Sequence, residues 1–218
     1  MYNIIIMGPQ GSGKGTQAER ISKKLGIPAV STGALFRAEV ERNTGLGREI
    51  APYLQKGERV PSDMVRAVVL DRLSEQDTEA GAIFDGYPRT IEQADTLDEM
   101  MTKLNRHITH VLYLDLTDAE AIRRLGGRRV CSNDKCRLSY HIEFKKPEKD
   151  PDKCDRCGSP LKQRADDVPE AIKRRLELFH SDTRPLLDFY KHRGIVFTID
   201  GSGPMQGVEI AVNNALGL

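Results

Sequence analysis

Gly8-Pro9-Gln10-Gly11-Ser12-Gly13-Lys14-Gly15-Thr16 lies between the apolar run Tyr2–Met7 and an amphipathic stretch, Lys14–Leu25. A glycine-rich loop that leaves a buried strand and opens a helix predicts a cradle for phosphate. Glycines let the backbone turn tightly and aim successive N–H groups at phosphate oxygens. The helix opening at Lys14 adds the positive end of its dipole, and Lys14 itself supplies a mobile cation for the terminal phosphates. One detail departs from the general pattern: Gly15 follows Lys14, where most such loops place a Ser or Thr for magnesium, and Thr16 comes one position late.

Outward from that loop, strand-like and helix-like stretches alternate. Residues 82–84 and 111–114 read as buried strands, followed by helical stretches near 90–103 and 117–125. Residues 195–199 read as the last strand and 205–215 as a terminal helix, while 169–192 reads as helix interrupted before Pro185. This rhythm predicts an α/β protein: a P-loop three-layer α/β/α arrangement around a five-stranded parallel sheet. Two regions break it. Residues 31–60 insert helical stretches (34–42 and 48–56) with no strand partner. Residues 127–164 are polar and hold every cysteine; within them 140–144 alternates like a short strand.

The charges nearly cancel, 33 basic against 32 acidic residues, which argues against wholesale binding to nucleic acid or membrane surfaces. Any anion site must then come from local clustering of Arg and Lys. Ile4-Ile5-Ile6-Met7 is far too short to span a bilayer, and the N-terminus shows no basic region or cleavage site, so a cytosolic enzyme is expected. The four cysteines form two pairs, Cys131-x4-Cys136 and Cys154-x2-Cys157, a spacing that fits a tetrathiolate zinc knuckle. Free thiols and disulfides are the weaker alternatives in a cytosolic chain. Four protein ligands leave no open position, so such a metal is structural. His141 reads as a surface residue of the short strand, not a fifth ligand.

From Gly-Lys-Gly-Thr onward the chain resembles adenylate kinases, and the resemblance covers nearly all of it. Ser31-Thr32-Gly33-x-Leu35-x-Arg37 looks like the first AMP-binding segment, and Asp85-Gly86-Tyr87-Pro88-Arg89-Thr90 resembles the family signature. Gln93 stands where the base-reading glutamine does. Gly127-Arg128-Arg129 opens the lid, Arg164-x-Asp166-Asp167 closes it, and Asp200-Gly201-Ser202 is similar to the loop over the ATP adenine. The resemblance implies a core of residues 1–30, 61–126 and 165–218, an AMP-binding insert at 31–60 and a lid at 127–164. There are two departures: Gln10 stands where the family usually has Pro, and Ala34 replaces the usual aspartate.

Phosphoryl transfer asks little covalent chemistry of a protein; positioning and charge neutralisation do most of the work. Arg suits this better than Lys because its planar fork binds phosphate oxygens in pairs. The resemblance implies Arg37 and Arg89 on the AMP phosphate, and Lys14, Arg124, Arg128, Arg164 and Arg175 on the ATP phosphates and the group in flight. It implies ATP contacts from Gly11, Ser12, Gly13, Lys14, Gly15, Thr16, Ser139, Tyr140 and Gly203. AMP contacts are implied for Thr32, Glu58, Arg59, Val60, Gly86, Tyr87, Pro88 and Gln93, with Arg164 and Arg175 shared. Asp85, at a strand end, reads as a partner of Mg2+ through water, and Asp166 and Asp167 as holding the lid arginines; no catalytic base is assigned. A closing lid would expel the water that competes with AMP.

The expected partners are ATP, AMP and ADP, with no nucleic acid and no membrane, and the resemblance suggests a monomer. Two other readings stand beside this one: a UMP/CMP or GTP-dependent monophosphate kinase, and a P-loop ATPase whose zinc knuckle binds nucleic acid or protein. The lack of a basic strip interleaved with aromatics argues against the latter.

Overall fold

The structure, a computed structural model, describes residues 1–133, 136 and 138–218. Strand β1 (Tyr2–Met7) is central because Ile4, Ile5 and Ile6, each at most 2% exposed, cover both of its faces. Burying each such side chain contributes about 1.5–3 kcal/mol. β3 (Gly81–Asp85) and β4 (His110–Asp115) flank it, with β2 (Ala29–Ser31) and β8 (Val196–Asp200) at the edges, in the order β2-β3-β1-β4-β8. All four pairings are parallel.

Helices cover both faces. Ile4, Ile6, Leu112 and Leu114 pack against α1 (Lys14–Leu25) and α9 (Met205–Leu216). Ile5, Phe84 and Val111 point the other way, into a core shared with α4 (Ser62–Leu73), α5 (Ile91–Lys103) and α8 (Leu186–Lys191). Met7, Ser31, Asp85, Asp115 and Asp200 all end their strands on one edge, and chain order reverses direction around β1. That edge is where open parallel sheets place their ligand crevice.

Residues 31–60 carry α2 (Thr32–Glu41) and α3 (Gly45–Lys56). α6 (Asp118–Gly126), which Thr117 caps, leads to an antiparallel sheet of β5 (Arg128–Cys131), β6 (Ser139–His141) and β7 (Leu161–Lys162). α7 (Pro169–Leu178) returns to the main body. Among the described residues no helix is long and apolar enough to cross a membrane.

Strands β2, β5 and β7 and helix α4 have no counterpart in the sequence reading. α4 has no sequence counterpart because half-buried Val68 and exposed Leu70 blur the i, i+4 stripe of Val65, Val69 and Leu73. The break expected before Pro185 is present as a π turn at Phe179–Thr183, because the proline's missing N–H and its ring disturb the carbonyls before it. The short strand expected over 140–144 ends at His141, where the His141 N–H donates to the Lys145 carbonyl and turns the chain. His141 is no surface residue: it is 8% exposed, stacked on Phe144 with ring centroids 4.1 Å apart.

Candidate active site

The loop after β1 curls over its own lysine. Lys14 Nζ donates to the carbonyls of Gly8 (2.8 Å) and Pro9 (2.7 Å). Burial brings this amine down to about 7; Asp85 opposes the fall, while Arg89, Arg175 and Arg128 add to it. Gly8 has φ +145°, and a Cβ there would stand 2.4 Å from the Leu114 carbonyl oxygen, so only glycine fits this close approach to β4. Ser12 is buried at the base of the loop, while Gly15 and Thr16 are exposed at its mouth. Asp85 faces the loop from the end of β3 and accepts a hydrogen bond from Ser31 Oγ at 3.1 Å.

Beside the loop opens a cleft of about 630 Å3. Thr32, Gly33, Phe36 and Arg37 of α2 form one wall, and Glu58, Arg59 and Val60 after α3 form another. Gly86, Arg89 and Gln93 close the floor, and Asp166 and Arg175 the end nearest the P-loop. Thr32 Oγ1 donates to the Gly86 carbonyl (3.0 Å), Arg89 Nε donates to the same oxygen (2.7 Å), and the Arg89 N–H donates to Gln93 Oε1 (2.8 Å). This fixes the glutamine with its amide nitrogen free to face the cleft. Burial, and secondly Arg59, pulls the Arg89 pKa below its ordinary value. An excess of buried positive charge is what a bound anion relieves.

A second cluster joins residues 127–164 to α7. Asp167, fully buried, accepts from Arg128 Nε at 2.7 Å and Nη2 at 2.5 Å. Asp166 accepts both arms of Arg164 at 3.0 Å and lies 3.2 Å from Arg175, whose Nη1 also donates to the Asp166 backbone carbonyl at 2.9 Å. Burial alone would raise the Asp166 carboxyl, but Arg164 and then Arg175 bring it down to about 2. Burial lowers Arg175 to about 10 and lowers Arg164, whose fall Arg128 reinforces. Asp166 is held ionised by its arginines and Asp167 is engaged on both oxygens by Arg128, so the pair serves to hold cations and neither is placed as a general acid or base.

Other expected residues lie elsewhere. Arg124 holds Glu120 Oε1 at 2.7 Å and donates to the carbonyls of Gly201 (2.9 Å) and Ser202 (3.1 Å), beside Gly203. Arg59 spends its guanidinium on Asp182 and the Leu178 carbonyl, both at 2.7 Å. Tyr87 is buried in the core, joined to buried Pro88 by a cis peptide bond, and lines no part of the cleft. Ser139 is exposed on β6. Tyr140 is 4% exposed; its hydroxyl donates to Cys154 Sγ (3.5 Å) and accepts from the Asp155 N–H (2.8 Å). Phe36, Leu54 and Val65 supply an apolar wall to the cleft. The sequence reading missed them because apolar positions on amphipathic helices look like ordinary core.

The four cysteine sulfurs lie within 4.8 Å of one another, with Cys131 to Cys157 at 3.4 Å and Cys136 to Cys154 at 3.6 Å. A tetrahedral zinc site with Zn–S near 2.3 Å has sulfur–sulfur edges of roughly 3.8 Å. The donor set therefore fits such an ion, although the intervening Asp134 and Lys135 lie outside the described residues.

A glycine-rich loop between the first strand and first helix of a parallel sheet, facing a crevice crowded with arginines, defines a P-loop nucleotide-binding protein. A family model described as adenylate kinase matches residues 6–195. The adenylate kinase of Archaeoglobus fulgidus is 43% identical over 206 residues, 94% of each chain. Those of Symbiobacterium thermophilum and Methanosarcina barkeri are 45% identical over 98% of each chain and 46% identical over 94% of each chain. The chain belongs to the adenylate kinase family.

Proposed function

We propose that this chain catalyses the reversible transfer of the terminal phosphoryl group of ATP to AMP, giving two ADP. What carries the reading is the meeting of the P-loop with a separate cleft at shared arginines, Arg89 and Arg175, which suits two polyanions brought end to end. The P-loop and Lys14 hold the ATP phosphates, with Arg124 beside the loop that would take the adenine. Arg37 and Arg89 take the AMP phosphate, Thr32 and Gln93 face its base, and Arg128, Arg164 and Arg175 meet the group in flight. Mg2+, when bound with ATP, neutralises the phosphate charge; Asp85 would hold its waters.

The chain divides on this reading into a core (1–30, 61–126, 165–218), an AMP-binding insert (31–60) and a lid (127–164) that excludes water when closed. The lid carries a structural zinc ion on Cys131, Cys136, Cys154 and Cys157. The enzyme acts as a monomer in the cytoplasm. A coupled assay of ADP formation from Mg–ATP tests the reaction, run with AMP, GMP, CMP, UMP and no acceptor. Turnover with AMP alone is expected; preference for another monophosphate, or hydrolysis without acceptor, would overturn it.

Two further results follow from the same geometry. Lys14, near 7 in the free enzyme, becomes fully protonated against phosphate, so ATP binding takes up a proton. The sign is fixed: affinity is highest below the free-state value and weakens as pH rises above it. Calorimetry at pH 8 in buffers of different ionisation enthalpy should report uptake on the order of one proton; heats independent of buffer would contradict this. The Tyr140 hydroxyl orients Cys154 and anchors Asp155, so Tyr140→Phe should speed zinc loss to a competing chelator by about tenfold. Release at the native rate would deny the hydroxyl that role.

A further inference from the structure

A smaller, narrow pocket adjoins the cleft and shares Gly57, Glu58, Arg59, Arg89 and Arg175 with it. The P-loop contributes Gln10 to this cavity and nothing to the larger cleft. Gln10 Oε1 is buried and meets no hydrogen-bond donor among the described residues. A buried carbonyl without a donor is disfavoured, so a native one signals a partner that arrives with ligand or closure. Three guanidinium groups, those of Arg59, Arg89 and Arg175, line the same cavity. Arg59 is committed to Asp182 and Leu178, and Arg175 to Asp166. Arg89 spends its Nε on Gly86, and its two Nη atoms meet no acceptor among the described residues.

We propose that Gln10 is a catalytic residue whose carboxamide bridges Arg89 and the phosphoryl group in transfer. The proposal rests on the phosphotransferase reading above. The carbonyl accepts from an Arg89 Nη, which turns the amide nitrogen away from the cation and toward the phosphates. In the transfer an AMP phosphate oxygen bonds to the γ-phosphorus as the bond from that phosphorus to the bridging oxygen breaks. The electron pair leaves with ADP, and no proton has to move. Charge spreads over the equatorial oxygens of the moving group, where a fixed neutral donor is most useful. A proline, the residue the resemblance leads one to expect at this position, has neither donor nor acceptor in its side chain.

The test compares the native chain with Gln10→Ala and Gln10→Glu in steady-state assays with Mg–ATP and AMP, with melting temperatures as a check on folding. Gln10→Ala should lower kcat about tenfold with both KM values held within about twofold. Gln10→Glu keeps the shape but turns a carboxylate toward the phosphates, and should lower kcat about a hundredfold. Gln10→Ala turning over within twofold of native would overturn the proposal, as would a loss confined to the KM of AMP, or Gln10→Glu no slower than Gln10→Ala. A native chain that forms no ADP would remove the phosphotransferase reading and this proposal with it. Native turnover with unaffected variants removes the proposal alone.

Discussion

Arg175→Ala lowers the rate of ADP formation by on the order of a thousandfold, the largest loss expected of any single replacement in this chain. Arg175 stands at the junction of both cavities and sits against both carboxylates of the 166–167 pair. Its charge is already strained by burial, which lowers it to about 10. A group held charged against that penalty is pre-positioned for the charge of the moving phosphoryl group and needs no rearrangement when it arrives. Removal also leaves Asp166 with fewer cations beside it, so its carboxyl should rise from about 2 toward the ordinary range. That second effect separates an electrostatic role from a merely structural one: activity should fall further in the variant than in the native enzyme as pH drops toward the ordinary aspartate range of about 4. Arg175→Lys keeps the charge but loses the fork and should recover only part of the rate. Steady-state kinetics decide it: an alanine variant keeping a tenth of native kcat would place Arg175 outside the transfer step.

How much of this was legible in the sequence depends on how local each feature is. The P-loop was plain because its function is written in consecutive residues, and strand, glycines and helix start obey short-range rules. The parallel sheet followed from the alternation of runs such as Tyr2–Met7 with amphipathic stretches. β2 is only three residues long, and α4 has Val68 and Leu70 off its buried stripe, so neither announces itself by period. The partners of charged groups are less accessible still. Nothing near Arg59 in sequence says that Asp182 and the Leu178 carbonyl will take its guanidinium, because the π turn that presents them is set by Pro185. The same holds for Tyr140, whose neighbours in sequence suggest a strand but whose hydroxyl belongs to the cysteine cluster. The Arg128–Asp167 and Arg164–Asp166 pairs lie between these cases: motif resemblance names the residues, and only packing says which arginine meets which aspartate.

Chelating the zinc proposed for the four cysteines, or replacing Cys131 and Cys136 together by serine, is the other change of large expected effect: it should unfold residues 127–164 and leave the rest standing. That segment has almost no apolar core of its own. Among the described residues its buried cluster is Cys131, Tyr140 and Cys154, with Cys136, Leu138 and Leu161 packed around it, so half of its members are cysteines that would hold the proposed metal. Uncoordinated, those ligands become small thiols with little area to bury, and a few short strands cannot persist on two-residue ladders such as β7. The main sheet has its own cores on both faces and shares none of these residues. The consequence reaches the chemistry through β5, which carries both Arg128 and Cys131. Once β5 loses its partners, Arg128 is no longer aligned on Asp167, and turnover should fall by on the order of a hundredfold. ATP should still bind, because Lys14 and the P-loop belong to β1 and α1 of the main sheet and not to residues 127–164. Hydrogen exchange reads this directly: protection should vanish over 127–164 and survive in β1, β3 and β4. Unchanged protection and melting in the double serine variant would mean that the segment holds itself together without a metal, and the four thiols would then need another explanation.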